Sequence, residues 1–495
     1  MRIKHLVVSV IALAVSTPGT ASPTSTTVFA WGDGHQGKLG YDHGAISSTV
    51  VNPMSDSDEV VAFDGGDHFS VLLRTDGSVW VVGSAAYGVF GQGTTHFAGS
   101  FTPLKVPGLA PVKAIAAGWT HVLAVTHDGS IWAWGDNGTG QLGNGAPSWE
   151  NACWCEESPV QVEGIDDAVA VAAGRFVSYA LRADGTVWAW GTGGYGQLGH
   201  GSSGVASFVP VQVSLPGKTI AISTRLWHAL ALQADGTVWA WGFNSFGELG
   251  IGNSPFGCQC EPTPAKVLGL TDVASIAAGA ASSVAAREDG SVFAWGFNRY
   301  GAVGVGDTTD RHTPVAVPSV GGIVSLSASY HVLARTSAGE VWTWGRSEYG
   351  QLGDGTSPQT GCRCETTPAK VAGLDRVTVV GVGTLHSLAL RPRDVTNLVA
   401  DPVIAGAAPP TMTLRAVLTL ASTGEGLNGS PVRFSAGATV LCAAAMTAGT
   451  GTEAGTATCG LTTAQQLAVI VNGGYTAAFS GTPLLAPIQA QGTLV

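Results

Sequence analysis

Apolar residues along most of this chain fall in short runs of about five, rich in Val, Ala and Trp and broken by Gly. Runs of that length with such punctuation predict strands joined by tight turns. A helical solenoid would need a 3.6-residue period held over roughly ten positions in each unit, and none is present.

The runs are themselves repeated. A Trp-Ala-Trp-Gly peptide or a close variant ends at Trp31-Gly32, Val82-Gly83, Trp134-Gly135, Trp190-Gly191, Trp241-Gly242, Trp295-Gly296 and Trp344-Gly345, a period of about 50 residues. Asp-Gly precedes copies two to six (Asp76-Gly77, Asp128-Gly129, Asp184-Gly185, Asp235-Gly236, Asp289-Gly290), and Ala338-Gly339 precedes the seventh. Asp-Gly between apolar runs predicts a two-residue hairpin with both central residues at positive φ. A Gly-x-Leu-Gly loop follows most copies, as in Gly140-Gln141-Leu142-Gly143, with the Leu expected to plug the core. With one strand before the hairpin and a Pro-Val-x-Val strand after it, each unit holds about four strands, the size of a propeller blade. The first copy lacks its upstream partner, and the last, residues 377–390, lacks its Trp-Gly strand. Joining the ends completes one blade and leaves no open edge, which predicts an all-β, seven-bladed β-propeller over residues 27–392.

The combination Gly-x-x-His-x-x-Ala-Leu, Asp-Gly-x-Val-Trp-x-Trp-Gly and Gly-Gln-Leu-Gly resembles the regulator of chromosome condensation repeat family of seven-bladed propellers. Members of that family include a guanine-nucleotide exchange factor, a plant ultraviolet photoreceptor and a secreted bacterial inhibitor of β-lactamases. The resemblance therefore implies the fold far more than any one activity.

Past Leu390 the Trp-Gly pattern stops. Residues 393–410 read as a connector with one possible strand, and 411–495 as a second all-β domain. Its alternating positions include Met412/Leu414/Ala416/Leu418/Leu420, Val432/Phe434 and Tyr475/Ala477/Phe479, the pattern of a half-buried sandwich. Leu427–Phe434 and Gly473–Phe479 resemble a bacterial immunoglobulin-like surface domain.

Composition adds the compartment. Arg2, Lys4 and His5, then an apolar run from Leu6 to Val15 and Gly19-Thr20-Ala21, form an export signal over 1–21. The run is too short for a permanent span, which needs about 20 residues. A secreted, periplasmic or cell-surface protein is expected, without a membrane span. The formal charge of −11 and the lack of a basic run argue against nucleic acid as a partner. Eight cysteines suit an oxidising destination. Cys442 and Cys459 can join strands of the second domain. Cys153/Cys155, Cys258/Cys260 and Cys362/Cys364 each follow a Leu-Gly loop and precede a Glu. These three pairs read as disulfides pinning surface loops, in rings small enough to be readily reduced. The competing reading is a metal or redox centre, but no His or further Cys within the loops completes a ligand set.

Enzymatic chemistry has no anchor: there is no nucleophile elbow, no phosphate loop and no candidate catalytic residue, cofactor or metal. His121, His228, His331 and His386 share one repeat position that Phe69, Val177 and Ser282 fill elsewhere. They are expected to be satisfied core histidines bonded to backbone. Eleven of the 15 Trp lie in the repeat strands and are assigned to the core. The turn entering each His strand carries His68, Trp119, Arg175, Phe176, Trp227 and Tyr330, which a ring fold would gather on one face around the central opening. Trp149 and Trp154 flank the first Cys pair as a second contact loop. Trp, Tyr and Arg dominate interface hot spots, so a monomeric, non-enzymatic module that binds a protein partner is expected, with enzyme inhibition as one version. The alternatives are a structural or adhesive envelope protein and an exchange-factor-like effector acting on a small GTPase.

Overall fold

The computed structural model describes residues 26–393 except the segments 42–46, 94–98, 146–152, 253–259 and 357–362, and then the strands between 396 and 493. The expected export signal, Trp149, Cys258, Cys362, the side chain of Cys459 and residues 401–410 lie outside the described residues. The chain divides into two units, Met1–Arg391 and Pro392–Val495.

Among the described residues the first unit holds seven four-stranded sheets. Six are built from consecutive antiparallel strands, over 60–105, 112–161, 168–212, 219–266, 273–316 and 323–370. The other runs Ser47–Pro53, Thr26–Asp33, His386–Pro392, Val379–Val382, so strands from both ends of the unit share one sheet. Asp33 N donates to Leu385 O at 2.9 Å across that seam. The first strand of every sheet, with Val379–Val382 in the shared one, lines a central cavity of about 290 Å³.

Neighbouring sheets are fastened by one repeated contact. The carbonyl of the residue after the first Gly in each Gly-x-Leu-Gly-like loop accepts a donor from the next sheet. Trp134 Nε1 donates to Val89 O (2.7 Å), Trp190 to Gln141 O (2.9 Å), Trp241 to Gln197 O (2.8 Å), Trp295 to Glu248 O (2.8 Å), Trp344 to Ala302 O (2.9 Å) and Trp31 to Gln351 O (2.9 Å). Copy two carries Val82 where the others carry Trp, and there Ser70 Oγ reaches Lys38 O at 2.9 Å instead. These six Trp are fully buried. Burying each indole contributes on the order of 4–6 kcal/mol of transfer free energy. The loop Leu residues (39, 142, 198, 249 and 352) are buried as plugs. The Gly after each Trp leaves room for the neighbouring turn: Gly135 sits at φ 104, and a Cβ there would lie 2.7 Å from His121 Cα.

Two expectations need correction. Trp80, Trp132, Trp188, Trp239 and Trp342 are half-buried, because strand alternation turns them to the face opposite the fully buried Trp. Arginines cover the rings of two of them, with the Arg74 guanidinium 3.9 Å from the Trp80 centroid and Arg182 5.8 Å from Trp188. The Asp-Gly hairpins also differ. Only the Gly takes positive φ (Gly77 at 77°, Gly129 at 94°), while Asp76 and Asp128 do not. Asp76 Oδ1 accepts from Ser78 N (2.9 Å) and Ser78 Oγ (2.6 Å), and Gly77 N bonds Arg74 O at 2.9 Å. The carboxylate thus stabilises a longer turn with a left-handed Gly in its last place, in which the Asp needs no positive φ.

The second unit contains a three-stranded sheet (Thr396–Ala400, Thr413–Leu420, Thr456–Gly460) and a four-stranded one (Thr439–Ala445, Pro431–Ala436, Gly474–Phe479, Ile488–Thr493). Among its described residues, Ala416, Val432, Phe434, Ala436, Leu441, Ala457 and Ala477 are buried. Thr396–Ala400, inside the expected connector, pairs with Thr413–Leu420 and belongs to this unit.

Trp134→Phe should destabilise the first unit by about 1–3 kcal/mol, because Val89 O is left buried without its indole donor. Trp190→Phe should cost less, since Ser178 Oγ also donates to Gln141 O, at 2.7 Å. Urea unfolding of both variants measures the difference.

Candidate binding face

At the end of each sheet where the Trp-Gly strands finish, three sets of residues converge: the turn entering the His strand, the residue after Trp-Gly, and the residue before the glycine loop. Backbone bonds between successive inner turns frame the centre, including Asp67 N to Trp119 O (3.2 Å), Trp119 N to Gly174 O (3.2 Å), Arg175 N to Leu226 O (3.3 Å) and Thr384 N to Gly66 O (3.1 Å).

Around that frame, aromatic rings form an unbroken crescent. Trp119 stacks on Phe176 (6.0 Å between centroids), and Phe176 meets Trp227 edge-on (6.1 Å). The series continues through Tyr195, Phe243, Phe246, Phe297 and Tyr300 to Tyr330, with spacings between 4.9 and 6.3 Å. Arg175 lies 3.3 Å from the Trp119 ring centroid and within about 5 Å of Phe176 and Trp227. Arg346 sits over Tyr300 and Tyr330 at the other end (5.0 and 5.4 Å), held by Glu348 at 2.6 Å. Tyr195 is 40% exposed, and most of the other crescent rings are half-buried.

Of the residues singled out from sequence, Trp119, Arg175, Phe176 and Trp227 are in mutual contact, and Tyr330 ends the same series. His68 lies apart, paired with Asp67 at 3.1 Å. Trp154 is 58% exposed and outside the crescent. Sequence reasoning missed Tyr195, Phe243, Phe246, Phe297, Tyr300 and Arg346. A signal existed: an aromatic precedes the glycine loop at Tyr87, Tyr195, Phe246, Tyr300 and Tyr349.

The sector without crescent rings is charged. Asp33 bonds Lys38 Nζ at 2.6 Å and also contacts His35 Nδ1, and Lys38 is fully buried. Burial alone would raise the Asp33 carboxyl, but Lys38 and His35 outweigh it and hold it below its ordinary value. At the cavity, burial pushes Asp64 up while the half-buried Arg225 pulls it back. Asp64 Oδ2 accepts Ala117 N at 2.9 Å from the neighbouring sheet.

The four repeat histidines lie beneath this face and bond a serine of the next sheet, not backbone as expected. Nε2 of His121, His228, His331 and His386 meets Ser178 (2.9 Å), Ser283 (2.8 Å), Ser387 (2.7 Å) and Ser70 (2.9 Å). Each serine in turn donates to a loop carbonyl, so the histidine nitrogen acts as its donor. Burial drives His121, His228 and His331 down to about 3, and His386 well below its ordinary value. They tie neighbouring sheets together.

Cys153 and Cys155 are bonded to each other, their Cα atoms 5.2 Å apart. Cys260, Cys364 and Cys442 are also disulfide-bonded, and no described cysteine is free.

The arrangement is that of a β-propeller with an aromatic end face. A pattern described as the RCC1-like domain matches residues 149–397, and regulator of chromosome condensation (RCC1) repeats match 112–141 and 76–125. The chain belongs to this RCC1 repeat family. It is 33% identical over 381 residues to the E3 ubiquitin-protein ligase HERC2 of Homo sapiens, covering 74% of this chain but 8% of that protein. It is 31% identical to the ultraviolet-B receptor UVR8 of Arabidopsis thaliana, covering 62% of this chain and 70% of that one. In fold it is similar to human WBSCR16 (TM-score 0.66, 23% identity, 74% of this chain and 98% of that one). It is equally similar to Prp20p from Saccharomyces cerevisiae (0.65, 23%, 74% and 92%), described with its binding to Gsp1p and histones.

Two pH effects follow. Below about pH 6.5 the unfolded chain protonates histidines that the folded chain keeps neutral, so stability should fall as pH drops toward 3, by up to about 1.4 kcal/mol per unit for each histidine. Glu248 behaves oppositely. It is buried in the place where Gln141, Gln197 and Gln351 stand elsewhere, accepts Phe246 N at 2.7 Å, and burial pushes it up to about 8. Its neutral form costs stability as pH rises from 4.5 to 8, because only the unfolded chain ionises there. Glu248→Gln should remove that slope and raise the melting temperature at pH 8 while leaving it little changed at pH 4.5, read by thermal unfolding across pH.

Proposed function

We propose that this chain is an exported, non-enzymatic binding module, a seven-bladed propeller followed by an immunoglobulin-like domain, that grips a protein partner with its aromatic face. The crescent from Trp119 to Tyr330 carries this reading. Nine rings line one end of the propeller, flanked by Arg175 and Arg346, and such side chains supply hot-spot energy when a partner excludes water from them. A relative of the same fold, Prp20p (yeast RCC1), is described as binding Gsp1p and as bound to Kap60. Inhibition of an extracellular enzyme is the concrete form we favour. The Cys153–Cys155 link and the disulfides of Cys260, Cys364 and Cys442 suit an oxidising compartment.

Capture from the extracellular fraction of the producing cells tests the face. A Trp119→Ala/Trp227→Ala double variant should bind the captured partner at least about 100-fold more weakly than wild type, the scale of two hot-spot truncations. Lys370→Ala, which alters an exposed pair with Glu340 at the opposite end of its strand, should bind normally. Equal capture by the double variant would show that the crescent is not the contact surface.

A further inference from the structure

We propose that the Cys153–Cys155 link is a thiol–disulfide exchange centre, able to oxidise an external dithiol.

The ring closed by Cys153 and Cys155 encloses only Trp154. To close it, Trp154 adopts φ 53, in the left-handed region. For a bulky side chain that conformation costs roughly 1–2 kcal/mol. A left-handed residue beside a bonded cysteine recurs in a second loop. Arg363 stands between Cys362 and Cys364, its φ is 49, and Cys364 is disulfide-bonded. Opening the Cys153–Cys155 link lets Trp154 return to negative φ, so reduction releases strain that a bridge between distant strands does not hold.

Access is one-sided. Cys155 is fully buried at the start of the strand Cys155–Gln161, paired with Asp136, whereas Cys153 is partly exposed and Trp154 is 58% exposed. An incoming thiolate therefore attacks Cys153 Sγ. The Sγ–Sγ bond breaks, Cys155 leaves as a thiolate and takes a proton from solvent. The second thiol of the same donor then attacks the mixed disulfide and releases Cys153, which is protonated in turn. The donor ends as a disulfide, and two electrons and two protons have passed to the protein. A Glu157 carboxylate oxygen lies within 4.8 Å of both sulfurs. The centre stands at the margin of the aromatic face, where Trp154 O accepts Asn137 N at 2.8 Å.

The full chain equilibrated anaerobically in graded reduced and oxidised glutathione, acid-quenched and alkylated with a mass tag, gives the reduced fraction of each peptide. The Cys153–Cys155 pair should reach half-reduction at a value of [GSH]²/[GSSG] at least tenfold lower than the bridge through Cys442. Trp154→Gly, which removes the left-handed penalty at an exposed position, should raise that value about five- to thirty-fold, the equivalent of 1–2 kcal/mol. Arg363→Gly should do the same for the disulfide of Cys364 and serves as the second variant. Midpoints that coincide with that of the Cys442 bridge, or that neither glycine moves, overturn the proposal.

Discussion

A single carbonyl in each glycine loop holds the propeller together. It lies where two sheets meet and receives an indole N–H, a serine hydroxyl, or both, from the next sheet. The contact needs a loop tight enough to aim the carbonyl sideways and a Trp placed so that its nitrogen arrives inside the core. Those two needs account for the glycines and for the buried Trp of each Trp-Gly pair. Where copy two has Val82, the junction survives on Ser70 alone, because the carbonyl and not the indole is the fixed element.

Much of this was legible in the sequence. The spacing of Trp-Gly located the sheets, and the incomplete first and last copies indicated that Thr26–Asp33 would share a sheet with residues from the far end. What was not legible depended on neighbours in space. The hairpin Asp reads as a left-handed turn former until its carboxylate is seen bonded to the hydroxyl two residues on. The histidines read as isolated core residues because their serine partners belong to the following repeat, more than 50 residues away. The crescent was half visible. Its inner members sit in the turns before the histidines, but Tyr195, Phe246 and Tyr300 lie in the glycine loops, where the glycines drew attention to backbone and away from the residue preceding them.

The end face is chemically divided. Five consecutive sheets contribute rings, and the sheets around the chain's seam contribute Asp33, His35, Lys38, Asp67 and His68. Apolar contact area and fixed charge thus occupy separate sectors of one surface. Such a surface can select a partner by orientation as well as by composition, since a rotated partner would set apolar groups against charges already paired to each other.

The shared sheet has a consequence for how the chain is made. Thr26–Asp33 is synthesised some 350 residues before its sheet partner His386–Pro392. At roughly 5–20 residues per second, that strand waits tens of seconds with one edge uncovered. An emerging chain is therefore a growing arc with two sticky ends, and such edges pair readily with other strands. Anything that shields the leading strand during that interval governs how much chain reaches the closed ring.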